Sequence, residues 1–333
     1  MMDEAVWALV IPLVGALAIL CLSSRPNLRE AVTLLSSSGL LVVVGMIARD
    51  ILGGQVHDVT LLQFAPGVSL AFKVEPFGVM FALLASSLWL INSIYSIGYV
   101  RRNALPRQTS FYLWFAVSLS ATMGIAFAGN LFTLFLFYEA LTLSTYPLVV
   151  HGQTNSDKVA GRVYLGILLG TSISLFLLGI LWTWTIAGTL DFQLGGILKE
   201  KIDPNIIGTL LALFAFGIGK SALMPVHRWL PAAMVAPAPV SALLHAVAVV
   251  KAGVFSLVKI LVYIFGIDLL AQSDGDNWLI YAAAFSMIAA AIIALRQDDL
   301  KRRLAYSTIS QLAYIVLAAA VAHPVALIGA MFQ

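Results

Sequence analysis

Glu139, Lys220 and Lys251 are titratable residues set in the middle of runs that are otherwise apolar. A carboxylate and two amines withdrawn from water exchange protons when their surroundings change, because burial disfavours the charged form and a nearby opposite charge restores it. His245 lies in the same stretch as Lys251 and adds an imidazole, whose ordinary pKa of about 6.5 suits it to hand protons on. The competing reading is structural glue, a Glu and a Lys on neighbouring helices that pair and hold a bundle together. Glue needs one pair and does not need a row, so these residues point to a proton relay.

The elements that must position them follow from composition. A chain of 333 residues with 61% hydrophobic and 11% charged side chains cannot present a water-facing surface of normal polarity, so it is an integral membrane protein. Apolar runs of about 20 residues recur along the chain, the length that a hydrocarbon core of about 30 Å demands of a helix. Helices are required because backbone groups in lipid must be satisfied within the segment. The expected spans are Ala5 to Leu22, Ala31 to Ala48, Pro76 to Ile97, Phe111 to Ala128, Leu131 to Val150, Val163 to Ala187, Ile206 to Leu230, Pro237 to Phe265, Trp278 to Leu295 and Leu304 to Ala322. An eleventh starts near Pro324 and is cut off at Gln333. The first span is expected to stay uncleaved, since Asp3 and Glu4 stand where a signal peptide carries basic residues.

Alternating spans place twelve basic residues on one face, among them Arg25, Arg101, Arg107, Lys158, Arg228 and Lys301 to Arg303, against Arg49, Lys73, Lys199 and Lys201 on the other. By the positive-inside rule the first face is cytoplasmic and the N-terminus lies outside, as expected for a multi-pass protein of a bacterial-type inner membrane. The net charge of +3 is thus a topology signal and gives no support to nucleic-acid binding. By helical rise, Lys220 and Lys251 each lie about 21 Å along their spans, near the midplane. Lys259 sits near the outer end of its span, where snorkelling to the interface would explain it.

Breakers cluster beside the lysines. Pro225 follows Lys220 and is expected to loosen the preceding turn, while Pro237 and Pro239 open the next span; broken helices at membrane depth are where transporters place ion sites. His227, next to Arg228, either lines a cytoplasmic entry path or caps the helix. His245 and Lys251 are six residues apart, which on a regular helix turns them about 120° from each other and about 9 Å along the axis. A π-bulge or unwound turn between them, eased by Gly253, would bring them to one face. The segment from Gly53 to Glu75 alternates apolar and polar residues and suggests a short hairpin. No nucleotide loop, dinucleotide fingerprint or metal-ligand cluster appears, and Cys21 is the only cysteine, so no cofactor is expected and redox chemistry is left to partners.

The runs Phe137 to Leu148, Gly219 to Ala222 with Pro225, His227 and Trp229 to Pro231, Ala236 to Ala246, and Asp298 to Gln311 together resemble the antiporter-like proton-translocating subunits of respiratory complex I, Mrp-type cation/proton antiporters and membrane-bound hydrogenases. The resemblance implies an all-α polytopic bundle of fourteen helices with two inverted five-helix repeats, each with a broken helix. It implies three parts: helices one to three over residues 1–110, a first repeat over 111–266, and the start of a second over 267–333. Glu139 and Lys220 would be an ion pair, Lys251 the connecting lysine, and His245 a member of the hydrated path. The second repeat would be incomplete, so the chain is expected to be either a fragment or a split subunit completed by another chain.

Two functions stay open on this reading. One is the proton-translocating module of a multisubunit redox pump or cation/proton antiporter; the other is a structural subunit without a complete path. Tyr138 before Glu139, where many complex I relatives have Trp, tilts toward the antiporter or hydrogenase branch. A path rich in lysine disfavours an intact cation, which argues for protons here and leaves any sodium to other subunits. Partner membrane subunits are expected in either case.

Overall fold

The computed structural model describes residues 4–55, 58–243, 248–273 and 277–333. Among the described residues, a series of helices leads the chain through the bundle and into its break. They are α1 (Glu4–Cys21), α2 (Pro26–Leu52), α3 (Pro76–Arg102), α4 (Gln108–Ala126), α5 (Leu131–Val149), α6 (Asn155–Ala187), α7 (Pro204–Gly217) and, after an interrupted stretch, the helix that contains Lys251. Among the described residues seven helices are long and apolar enough to cross a membrane. α7 is a shorter apolar helix of 14 residues. The interrupted stretch holds a short helix α8 (Ala238–Ala242), and the chain then continues as α9 (Val249–Ile260), α10 (Asn277–Leu295), α11 (Leu300–Ala320) and α12 (Pro324–Phe332). Most expected spans correspond to helices, but the seventh, Ile206 to Leu230, is helical only to Gly217, and the eighth, Pro237 to Phe265, includes residues 244–247, which lie outside the described residues.

Start signals are legible at several of these helices. Proline stands in the first turn of α2, α3, α7, α8 and α12, where its missing N–H is one the helix would leave unpaired anyway. Thr154 and Asp157 form a reciprocal capping box on α6, and Asn130 caps α5 by accepting from Thr133 N at 2.8 Å. Asp299 does the same for α11 through Arg302 N at 2.8 Å.

The expected hairpin is present. Strands β1 (Asp58–Ala65) and β2 (Val68–Lys73) pair antiparallel across Pro66 and Gly67, with Gly67 at φ +75°, a conformation that favours a residue without a Cβ. The hairpin is sewn to the ends of α4 and α5: Lys73 N donates to Phe127 O at 2.9 Å, Gly129 N to Ala71 O at 2.9 Å, and Asn130 Nδ2 to Ser69 O at 2.9 Å. Phe192 N then returns a bond to Gly129 O, which ties the segment after α6 to the same end.

The opposite end is held by charge. Arg101 pairs with the buried Glu30, and the buried Arg29 donates to Gln108 Oε1 at 2.7 Å and Thr109 Oγ1 at 3.1 Å, so α2, α3 and α4 are joined through side chains that find partners inside the protein. Two π-helical turns interrupt regular helix, Ser172–Phe176 within α6 and Leu261–Phe265 after α9. Nothing in the sequence pattern announced either one.

The loop after α5 carries a histidine that the sequence reading passed over. His151 is buried, its Nε2 lies 2.8 Å from Pro106 O, and its own carbonyl accepts from Arg107. Burial first, and then the Arg107 charge, hold its pKa below the ordinary value, against the opposing pull of the Pro106 carbonyl and Asp157. The folded protein therefore takes up this proton later than the unfolded chain does as pH falls. Stability from the neutral ring is present at neutral pH and is lost as pH drops below about 6.5. His151→Gln keeps a donor for Pro106 and removes the titration. Its melting temperature is expected to fall less than that of the wild-type protein between pH 7.5 and 5.5, measured in detergent.

Candidate functional site

A helix that stops inside a bundle leaves carbonyl and N–H groups that lipid cannot satisfy. α7 stops at Gly217, and Ile218 leaves helical geometry with ψ +65°. Lys220 therefore sits within the break itself, in a single 3-10 turn Gly219–Ser221, followed by Ala222 in the left-handed region at φ +55°. The break begins ahead of Pro225, which lies beyond it with a cis bond to Met224. Pro237 and Pro239 likewise stand at the start of α8 and do not break a helix.

Three backbone groups in and just past the break have side-chain partners. Trp229 Nε1 donates to Gly219 O at 2.9 Å, Lys220 N donates to the Tyr138 hydroxyl at 3.1 Å, and Met224 N donates to Ser286 Oγ of α10 at 3.1 Å. Tyr138 is positioned by edge contact with Phe176, the last residue of the π turn in α6, at 5.5 Å between ring centroids. Trp229 is held by Tyr164 of α6 in the same way at 5.6 Å. Further along, Lys301 Nζ donates to Ala236 O at 2.8 Å, so the basic run of α11 braces the segment that precedes α8.

The ammonium of Lys220 is fully buried. Its Nζ donates to Tyr138 O at 2.5 Å and to Thr142 Oγ1 at 2.7 Å, and it lies 3.3 Å from the Tyr138 ring centroid. Thr142 in turn donates its hydroxyl to Tyr138 O at 3.1 Å. Glu139 follows Tyr138 on α5, yet its carboxylate is not the acceptor: its oxygens are buried with the Ser172 hydroxyl of α6 beside them, and among the described residues no cation lies within 4.0 Å. The two groups share one turn of α5 as neighbours in an open arrangement, with the lysine on neutral oxygens.

Lys251 lies on α9 and is half-buried. Two residues on, Gly253 packs directly on the break: a Cβ there would stand 2.5 Å from Ser221 N and 2.6 Å from Lys220 O. Gly253 thus lets α9 pack directly against the broken turn. Residues two apart on a helix point about 200° from each other, so α9 touches the Lys220 turn with Gly253 and aims Lys251 elsewhere. Lys251 lines a cavity of about 430 Å³ between α3, α9 and α12, with Phe77, Phe81 and Phe255. The structure thus brings Glu139 and Lys220 together and leaves Lys251 on a separate face.

His245, and with it the distortion expected before Lys251, falls on residues 244–247, outside the described residues. On their flanks Ala248 N donates to Leu243 O at 3.0 Å, a bond of π-helical span. His227 is half-buried in the 3-10 turn Val226–Arg228, its ring 6.2 Å from that of Tyr306 on α11. Sequence reasoning missed Tyr164 and Ser286, whose roles are set by which helix faces which. Tyr138, Thr142, Trp229 and Lys301 stood inside quoted motifs without a contact assigned to them. Among the described residues no three His, Cys, Asp or Glu side chains group as a metal site.

The chain was compared with known proteins. Residues 128–333 match the family model described as NADH:quinone oxidoreductase/Mrp antiporter, TM. It is 31% identical over 330 residues to NAD(P)H-quinone oxidoreductase chain 5 of Picosynechococcus sp., covering 93% of this chain and 48% of that protein. Over 254 residues it is 32% identical to the putative antiporter subunit mnhA2 of Staphylococcus haemolyticus, covering 75% of this chain and 31% of the relative. It spans about half the length of the quinone oxidoreductase relatives it matches. Among solved structures, a chain of the Mrp complex from Dietzia sp. superposes with a TM-score of 0.86 at 22% identity, covering 100% of this chain and 61% of the other. A chain of the archaeal membrane-bound sulfane sulfur reductase gives 0.82 at 25% identity, covering 95% and 64%.

The close approach of α9 to the break supplies a direct check. Gly253→Ala must push α9 off the Lys220 turn, an overpacking change expected to cost about 1 to 3 kcal/mol. A melting temperature lowered by several degrees in detergent is the expected result.

Proposed function

Since the chain belongs to the NADH:quinone oxidoreductase/Mrp antiporter transmembrane family, we propose that it is a proton-translocating module of a multisubunit membrane complex, with Glu139, Lys220, His245 and Lys251 as its relay. The observation that carries this reading is the arrangement at the break. A fully buried lysine rests on the Tyr138 carbonyl and the Thr142 hydroxyl, while a carboxylate on the same turn has no cation within 4.0 Å among the described residues. A structural ion pair would be closed; this pair is open.

Burial disfavours the ammonium form, and a close carboxylate favours it. With Lys220 drawn to Glu139 the amine holds its proton; with Lys220 withdrawn onto neutral oxygens the proton is released. Gly219–Ser221 is a single turn flanked by non-helical residues, which lets the lysine move without moving a whole helix. Lys251 receives the proton through His245 and water, since its own side chain faces another cavity. Moving one charge against 100 mV costs about 2.3 kcal/mol, so partner subunits supply the driving force, and the chain carries out no redox step itself.

In this reading residues 1–110 form the N-terminal helices, 111–266 the first of two inverted repeats, and 267–333 the start of the second. Further helices on this or another chain complete it. The protein lies in an inner membrane with its N-terminus outside, so Lys301 to Arg303 face the cytoplasm. Proton translocation by the assembled complex in proteoliposomes tests the reading. Lys220→Ala and Glu139→Gln are each expected to lower it at least tenfold with assembly unchanged. Wild-type rates in both would assign these charges a structural role.

A further inference from the structure

Two buried carboxylates in this chain are held in different ways. Lys259 was expected to snorkel to the interface, but it is fully buried, and its Nζ donates to Ala128 O at 2.7 Å and lies 3.3 Å from Glu75 Oε2. Glu75 is thus closed on a lysine, a clamp that ties the start of α3 and the end of α4 to α9. Among the described residues Glu139 has no cation at such a distance. A carboxyl group taken out of water needs hydrogen-bond partners. The groups around Glu139 therefore decide where it points once Lys220 rests on Tyr138 O and Thr142 Oγ1, and the group beside it is the hydroxyl of Ser172.

Ser172 opens the π turn of α6 and is fully buried. A serine inside a helix can bond back to a carbonyl one turn earlier, and Ser172 Oγ does so to Leu169 O at 3.2 Å. Its neighbours bond back in the same way but are placed differently: Thr171 packs against Gly219 of the break, and Ser174 is exposed. The turn is wedged in place by the end of α7. A Cβ on Gly217 would stand 2.7 Å from Phe176 Cα, and one on Gly219 would stand 2.6 Å from Thr171 Oγ1. Ser172 and Phe176 are the two ends of the turn, and they address consecutive residues of α5: Phe176 meets the Tyr138 ring at 5.5 Å, and Ser172 lies beside Glu139. Single π turns inside α-helices are frequently found at functional sites.

We propose that Ser172 is the positioning residue of Glu139, held on the π turn so that its hydroxyl keeps the carboxyl group in place while Lys220 is withdrawn. This deepens the proposed relay and rests on it. A hydroxyl has one proton to donate and two lone pairs, so it serves either form of the acid. With Glu139 ionised, Ser172 turns its proton from Leu169 O to the carboxylate. With Glu139 protonated, Ser172 leaves its proton on Leu169 O and accepts from the acid. Only hydrogen bonds of Ser172 change, and the relayed proton never resides on it. A serine that merely closed the turn would need the Leu169 bond but neither full burial nor the carboxyl group beside it.

The test uses the complex containing this chain in proteoliposomes. Ser172→Ala is expected to lower proton translocation about tenfold with assembly unchanged, the loss typical of a hydrogen bond to a charged group, and Ser172→Thr to recover most of it. The infrared band of the Glu139 side chain, acid or carboxylate, is assigned by its loss in Glu139→Gln. In Ser172→Ala that band is expected to move, because its hydrogen bond is gone, and in Ser172→Thr to return. An unmoved band overturns the proposal even if the rate falls, since a merely structural serine alters packing and not the bonding of the carboxyl group. Should Ser172→Ala impair assembly, Ser172→Cys, close in size and a weaker donor, is read by the same band. A moved band with wild-type translocation in Glu139→Gln upholds Ser172 as the partner of Glu139 and overturns the relay instead.

Discussion

A backbone that stops being helical inside a membrane protein must find every hydrogen-bond partner within the protein, and that constraint organises this structure. α7 ends at Gly217, and three of the groups around its break are met by the Tyr138 hydroxyl, the Trp229 indole and the Ser286 hydroxyl. These come from α5, from the segment just past the break and from α10. Three separate parts of the chain are therefore committed to one broken turn. Lys301 extends the same logic to the segment before α8 by donating to Ala236 O.

That commitment explains why the surrounding helices are irregular. Phe176 reaches Tyr138 from the end of a π turn, and a Cβ on Gly253 would collide with the Lys220 turn. A regular α6 would carry Phe176 elsewhere on its circumference, since each π turn shifts the register of the residues beyond it. The local cost of these departures from ideal helix is offset by a site in which a buried amine can be held without a carboxylate touching it.

The two fully buried lysines show two solutions to one problem. Lys259 is neutralised by a carboxylate at 3.3 Å and a carbonyl at the end of the α4 segment, where the helix dipole favours positive charge. Lys220 is held by a carbonyl, a hydroxyl and an aromatic face, with Glu139 close by but not in contact with it. A closed pair suits stability, and an open pair suits a group whose charge must change.

Residue type and hydropathy alone set the membrane class, the helical spans, the hairpin and the identity of Glu139, Lys220 and Lys251 as buried charges, because a run of about 20 apolar residues interrupted by a charge has few physical interpretations. Proline positions misled on where helices break: Pro225 and Pro239 mark segments after a break or at a helix start, since proline is tolerated in a first turn. Only the tertiary structure decided that Lys259 is buried against Glu75, that Lys251 faces away from Lys220, and that Tyr138 and Thr142 hold the ammonium. Each of these depends on which faces of distant helices meet. Local sequence encodes the length and polarity of a span, whereas its rotation and its partners are set by packing across the whole bundle.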